Sequence, residues 1–368
     1  SLGASVLLHN LFEKNNVITY AKLRGGYAQI PSDIGVLTTN PQYRTGNQPL
    51  TVGSSLYPIV NLPTSRVDPN LKPAINVNRE IGLDLKFLKN RLTFGATYYD
   101  EDRKDEPIPV SLASSSGAQS LIINASSANR KGIELNLSGD VFRNSEGLNW
   151  TTSLNFARNK SMITKVHESL DRIAIPPATN YSSFSYVQIL QMEGYEWGQL
   201  YGTGIKRDNN GNAVINTNGT YAVETDKAFG SVLPKFTGGF FNSVSYKGIT
   251  LSATIDFQKG GKFFSLSEQW GTSGGLLEAT AAMNDRGHNV RDDVADGGGV
   301  HVMGVNSAGG SVDMYVDAHT YFAQYNANRL AEPFIHDASY IKLREVALSY
   351  ELPKSIFQKT GVNFYYQF

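Results

Sequence analysis

Asp100, Glu101, Asp102, Asp105 and Glu106 crowd together, broken only by Arg103 and Lys104. Close carboxylates can hold a divalent cation or divide general acid–base work. A mixed charge run of this kind is more ordinarily a solvated loop, and that is what the stretch is expected to be. A second acidic group, Asp292, Asp293 and Asp296, stands before Gly297-Gly298-Gly299. Calcium is the chemistry to test there, but the EF-hand spacing is missing, so an ordinary loop is expected. The six histidines are scattered, and no HExxH, GxSxG or P-loop pattern occurs. There is no cysteine, which excludes disulfides and thiolate ligands from this chain. The expectation is therefore no enzyme, no cofactor and no metal site. Aromatic residues are the better binding candidates: Tyr181, Tyr186, Tyr195, Trp197 and Trp270. Their flat faces suit sugar rings and apolar peptide side chains. The competing reading is a girdle or a self-packed loop.

The elements that must carry these residues are strands. Ile81, Leu83, Leu85 and Phe87 alternate with Glu80, Gly82, Asp84 and Lys86. Strand side chains point to opposite faces with period two, so one face is apolar and the other charged. The chain turns at Leu88-Lys89-Asn90-Arg91 and returns with Leu92, Phe94, Ala96 and Tyr98 on one face. The pattern repeats. A second hairpin runs through Ile133, Leu135, Leu137 and Val141, turns near Asn144 to Gly147, and returns through Trp150, Thr152, Leu154 and Phe156. A third has Phe236, Gly238, Phe240, Val244 and Tyr246, a turn at Lys247-Gly248, then Leu251, Ala253, Ile255 and Phe257. Earlier strands are expected from Ser1 to about Leu8 and over Val17 to Ala28. The last pair is expected over Tyr340 to Leu352 and Val362 to Phe368. Ile341 and Leu343 are odd, whereas Val346, Leu348, Tyr350 and Leu352 are even. A one-residue slip moves every side chain to the other face, so a bulge near Arg344-Glu345 is expected.

Connections alternate short and long. The segments 29–75, 101–130, 158–235 and 259–338 are expected to be long polar loops on one side. A sub-hairpin is expected at Asp208 to Asn212 and a short helix at Leu276 to Asp285. Short turns on one side and long loops on the other mark an outer-membrane barrel. Loops beyond about 15 residues are uncommon in compact domains. The polar face would carry Lys22, Arg24, Glu80, Asp84, Lys86, Glu134, Asp140 and Asp256. Burying these in a dry core would be costly, and a water-filled lumen removes that cost, so they are expected to face the lumen. The apolar set, Ile81, Leu83, Leu85, Phe87, Leu92, Phe94, Leu135, Leu137, Leu154, Phe240, Leu251 and Ile255, is expected to face lipid. A soluble sandwich would alternate too, but its loops are usually short at both ends. Lys+Arg and Asp+Glu balance at 33 each, which gives no electrostatic case for nucleic acid. No apolar run is long enough for a transmembrane helix, which a barrel does not need.

Several segments together resemble the SusC/RagA family of TonB-dependent outer-membrane transporters of Bacteroidetes-type bacteria. They are REIGLDLKFLKNRLTFGATYYDEDRKD, SSSGAQSLIINASSANRKGIELNLSGD, WTTSLNFARNKSMI, EGYEWGQLYGTGI, VLPKFTGGFFNSVSYKGITLSATIDFQKGGKFF and DASYIKLREVALSYELPK, in the family's order. The resemblance implies an all-β transmembrane antiparallel barrel of about 22 strands, of which this chain would be a C-terminal part of about ten. It implies a plug domain and TonB coupling, both through missing N-terminal sequence, and a SusD-like surface lipoprotein over the mouth. It implies oligosaccharide or peptide cargo and an outer-membrane location. The direction of the final strand implies that one more inward strand follows Phe368, because single-chain barrels have both ends inside. Two other functions stay open: a passive porin or scaffold, and a soluble secreted glycan-binding β-protein.

Overall fold

The computed structural model describes residues 1–10, 17–32, 34–35, 39–40, 42–46, 49–144, 147–175 and 187–352. Two compact units are present. The first comprises Ser1–Lys165, Pro234–Lys259 and the chain from Ser339 on; the second comprises Val166–Leu233 and Gly260–Ala338.

The first unit is one antiparallel wall. Its strands are β1 (Leu2–Leu7), β2 (Ile18–Ser32), β3 (Ala74–Phe87), β4 (Leu92–Ser111), β5 (Ser120–Phe142), β6 (Asn149–Val166), β7 (Pro234–Tyr246), β8 (Ile249–Gly260) and β9 (Tyr340–Tyr350). Spatial order follows chain order from β1 to β9, and a short strand, Ser65–Val67, pairs beside β5. Among the described residues the sheet is open, with β1 and β9 as its edges. Nine of the ten expected strands are thus present. The tenth, Val362 to Phe368, lies outside the described residues.

Register keeps the two faces apart. Leu83 lies opposite Leu23 on β2 and Ala96 on β4, and Ala96 opposite Leu135 on β5. Ile81, Tyr98 and Ile133 form the next apolar row. This face is not a buried core: Ile341 is 81% and Leu348 74% exposed. The turns use local chemistry. Leu88, Lys89 and Asn90 all have positive φ. Lys247 (φ 47°) and Gly248 (φ 83°) make the two-residue turn whose twist matches the flanking strands. Opposite Thr254 and Ile255 stand Glu345 and Leu343, so Arg344 is an extra residue on β9. The expected bulge is there, and it lets Ile341, Leu343, Val346 and Leu348 share one face.

Four loop expectations change. Residues 101–111 and 120–130 are strand, with only Leu112 to Gln119 between β4 and β5. Local polarity hid this, because strands of 20 and 23 residues continue their ladder well past the apolar rows. The same holds at the ends of the other loops, since β2 reaches Ser32 and β6 reaches Val166. The five carboxylates from Asp100 to Glu106 accordingly sit on β4, not on a loop. The expected helix at Leu276 to Asp285 is only a single 3-10 turn, Glu278–Ala281.

The second unit is built from the β6–β7 and β8–β9 connections, and it is folded. A four-stranded sheet runs Ile173–Ile175, Val187–Gln191, Gln199–Ile205 and Val223–Ser231. A hairpin pairs Val300–Val305 with Ser311–Val316. Helix α1 (Leu266–Ser273) is capped by Ser265 and helix α2 (Ala318–Ala327) by Asp317. Ile205, Tyr325, Leu330 and Phe334 form one buried cluster, and Ile215, Val302 and Val316 another. Both clusters draw on both connections. The expected turn at Asp208 to Asn212 closes through the Asp208 amide on the Asn212 carbonyl, 2.9 Å.

Candidate functional site

The charges expected on one face do share a face. Lys22 stands opposite Asp84, and Gly26 opposite Glu80. Arg24 reaches diagonally to Glu80 (3.2 Å) and to Asp84 (3.7 Å), and donates to the Thr97 hydroxyl of β4. It can lie flat because Gly82 is opposite: a Cβ there would sit 2.5 Å from the guanidinium carbon. Lys86 stands 5.6 Å from the centroid of the Tyr20 ring. Glu134 continues the row opposite Thr97. Asp140 accepts from the Thr151 hydroxyl, 3.0 Å. Asp256 takes a two-pronged contact from Arg344 (2.6 and 2.7 Å) and another from the Tyr340 hydroxyl, 3.1 Å. The eight expected residues therefore share one side of the wall, where Arg24, Glu80, Asp84, Asp140 and Asp256 are linked by ion pairs and hydrogen bonds. Thr97, expected on this face, belongs to it, and so do Tyr20 and Arg344, which were not anticipated there. The signal for Arg344 was available: the extra residue of a bulge is the one free to turn.

Towards the distal ends of β3, β4 and β5 both faces become charged. Arg79 pairs with Asp102 (2.9 Å) and Lys131 with Asp100 (3.2 Å). Arg103 meets Glu101 and Glu106, and Arg130 also meets Glu101. Asp100, Glu101 and Asp102 are thus engaged in cross-strand ion pairs, and Glu106 pairs with Arg103 within β4. Asp293 and Asp292 are likewise occupied, accepting from the Ala295 and Asn289 amides.

The aromatic candidates are dispersed over the second unit. Tyr195, 51% exposed, and the half-buried Trp197 share the turn after Val187–Gln191. The Trp197 carbonyl accepts from the Ser231 hydroxyl, which fastens that turn. Trp270, 40% exposed, stands on α1. Tyr181 and Tyr186 lie outside the described residues.

One polar cluster of this unit was not foreseen. His301 bonds through Nδ1 to Asp285 (2.8 Å) and through Nε2 to Asp313 (2.9 Å). Its ring stacks on Tyr315 at 4.6 Å, and the Tyr315 hydroxyl donates to Asp285, 2.6 Å. Arg286 lies 3.4 Å from the Tyr315 ring centroid. Two carboxylates, Asp313 foremost, hold the His301 pKa above the usual imidazole value. The Tyr315 hydroxyl, and then His301, hold the Asp285 carboxyl below its usual value. The signal was the alternation of His301, Asp313 and Tyr315 along a hairpin that read as glycine-rich loop.

With this geometry in view, comparison with known proteins is decisive. Residues 12–275 match the family model "TonB dependent receptor-like, beta-barrel". The chain belongs to this family. TonB-dependent receptor P3 of Formosa agariphila is 26% identical over 96% of the chain, and TonB-dependent receptor P26 of the same organism is 22% identical over 80%. The chain spans 34% and 29% of the lengths of these two relatives. In fold it is similar to the RagAB peptide importer in its closed-closed state, with a TM-score of 0.67 at 19% identity over 96% of the chain and 37% of that structure. The RagAB peptide transporter gives 0.67 at 20% identity. The all-β reading and the SusC/RagA resemblance are met at this level, and the barrels of this receptor family are outer-membrane barrels.

Proposed function

We propose that the protein containing this chain imports a bulky nutrient, an oligosaccharide or a peptide, across the outer membrane. Import runs through a plugged barrel coupled to TonB, and the chain supplies a C-terminal part of that barrel. The observation that carries this reading is the asymmetry of the connections. Lys247-Gly248 closes β7 and β8 with two residues, whereas the β6–β7 and β8–β9 connections build a folded unit with its own core. A pore needs only to close its hairpins. A folded, aromatic-bearing unit built from the long connections is what cargo capture and a lipoprotein lid require. The apolar face lines lipid, which accounts for the exposure of Ile341 and Leu348 and argues against a soluble sandwich. Lys22, Arg24, Glu80, Asp84, Lys86, Glu134, Asp140 and Asp256 face the aqueous lumen. Tyr195, Trp197 and Trp270 offer flat faces to cargo, with Tyr181 and Tyr186 on the same connection as Tyr195. A SusD-like lipoprotein covers the mouth; the likeness to the RagAB importer supports this, as it supports peptide among the cargoes.

The test is native purification of the whole protein in mild detergent, followed by identification of co-purifying chains and retained small molecules. A stoichiometric surface lipoprotein together with a peptide or glycan ligand is the expected result. A barrel purified alone, leaking small solutes freely in a liposome-swelling assay, would establish the porin reading instead.

A further inference from the structure

We propose that the wall carries a binding site for a lipid-borne phosphate of the outer leaflet, formed by Arg158 and Lys160 of β6 and Lys259 of β8. This inference rests on the reading of the apolar face as lipid-facing. The apolar face of β6, β7 and β8 ends in a row of rings: Phe156 to Phe236 at 5.5 Å and Phe236 to Phe257 at 6.4 Å between centroids. Rows of aromatic side chains mark the edges of the apolar band on membrane barrels. Two residues outward from Phe156 comes Arg158, and two further comes Lys160. Two residues outward from Phe257 comes Lys259. Alternation keeps all three on the apolar face, at the level where lipid headgroups begin.

These cations differ from their neighbours. Beyond the apolar rows of β3 to β5, by contrast, Arg79 is neutralised by Asp102 and Lys131 by Asp100. Arg158, Lys160 and Lys259 are exposed, and among the described residues no carboxylate, hydrogen bond or ring engages them. β6 and β8 are separated by β7 alone, so roughly 10 Å of sheet divides Arg158 from Lys259. Long side chains with apolar stems can converge over the intervening Phe236 ring and hold their charged ends at the interface. A guanidinium and two ammonium groups without internal partners fit a phosphate, with Arg158 able to grip it by two N–H groups.

The experiment uses the whole protein from outer membranes, in neutral detergent, titrated with diphosphoryl lipid A and read by thermal stabilisation. The comparison pairs the triple variant Arg158→Gln/Lys160→Gln/Lys259→Gln with Arg79→Gln/Lys131→Gln. Each lost cation should weaken the apparent affinity about fivefold, and the triple variant about 100-fold. The Arg79/Lys131 variant should stay within about threefold of wild type, since its charges are already paired. Dephosphorylated lipid A and inorganic phosphate should give no stabilisation. If the triple variant fails to assemble, Lys160→Gln and Lys259→Gln alone should each show the fivefold loss. An unchanged titration, an equal loss in the Arg79/Lys131 variant, or an equal response to inorganic phosphate would overturn the site. Absence of the protein from the outer membrane would overturn the lipid-facing reading itself, so the two failures are distinguishable.

Discussion

His301 carries the pH dependence of the second unit. Its pKa is raised in the folded state, so the stability it contributes is fully present below the unfolded value of about 6.5. That contribution is lost as pH rises through the folded value. Asp285 is lowered, so its share is present above the usual carboxylate range and lost only as pH falls through its folded value. Hydrogen exchange in the Val300–Val305/Ser311–Val316 hairpin should therefore accelerate beyond its intrinsic rate as pH rises above the ordinary imidazole value and through the raised folded one. His301→Gln should remove that added slope. An identical slope in the variant would discredit the imidazolium assignment. On the wall, Leu135→Arg should cost about 2–4 kcal/mol in refolding into vesicles, and Asn136→Arg much less. Equal costs would show that the two faces are misassigned.

Among the elements, β9 is the informative one. Arg344 is surplus to the ladder, and its side chain grips Asp256. Deleting it should leave regular alternation, with Ile341, Leu343, Val346 and Leu348 still on one face. The shortened chain should assemble, as judged by heat-modifiable migration on gels. Deleting Ala347 should prevent assembly, because it turns one half of the strand's apolar set to the wrong side. The β7–β8 turn gives a second contrast. A Cβ at Gly248 would sit 3.1 Å from the Glu351 carbonyl oxygen, and its φ is positive. Gly248→Val should lower the refolding yield, whereas Lys247→Asn should preserve it, since Asn tolerates the left-handed region.

At the scale of the whole molecule the prediction is sidedness. Ser115 lies in the short β4–β5 connection and Ser273 at the end of α1. Asn90 and Lys247 lie in the tight turns at the opposite strand ends. In intact cells expressing the full protein, single cysteines at Ser115 and Ser273 should react with a membrane-impermeant maleimide. Cysteines at Asn90 and Lys247 should react only after permeabilisation. Labelling at Lys247 in intact cells would reverse the topology.

The amino-acid order by itself determined the wall. Period-two alternation from Ile81 to Phe87 and from Leu251 to Phe257, the Lys247-Gly248 turn and the parity change at Arg344 are all local, and each reports directly on which face a residue takes. The resemblance of six segments pointed to the family from the same residues. Tertiary structure decided the rest. Asp100 to Glu106 and Ser120 to Arg130 read as loop because their polarity does not alternate; they are strand because neighbouring backbones complete their hydrogen bonds and Arg79, Lys131 and Arg130 offset their charges. The 166–233 and 260–338 segments are hydrophilic taken singly, and the second is glycine-rich. They fold because Ile205 of one packs with Tyr325, Leu330 and Phe334 of the other, and Ile215 of one with Val302 and Val316 of the other. Contacts between residues about a hundred positions apart leave no periodic trace in either segment, so only the folded chain could reveal that core and the His301 cluster within the same unit.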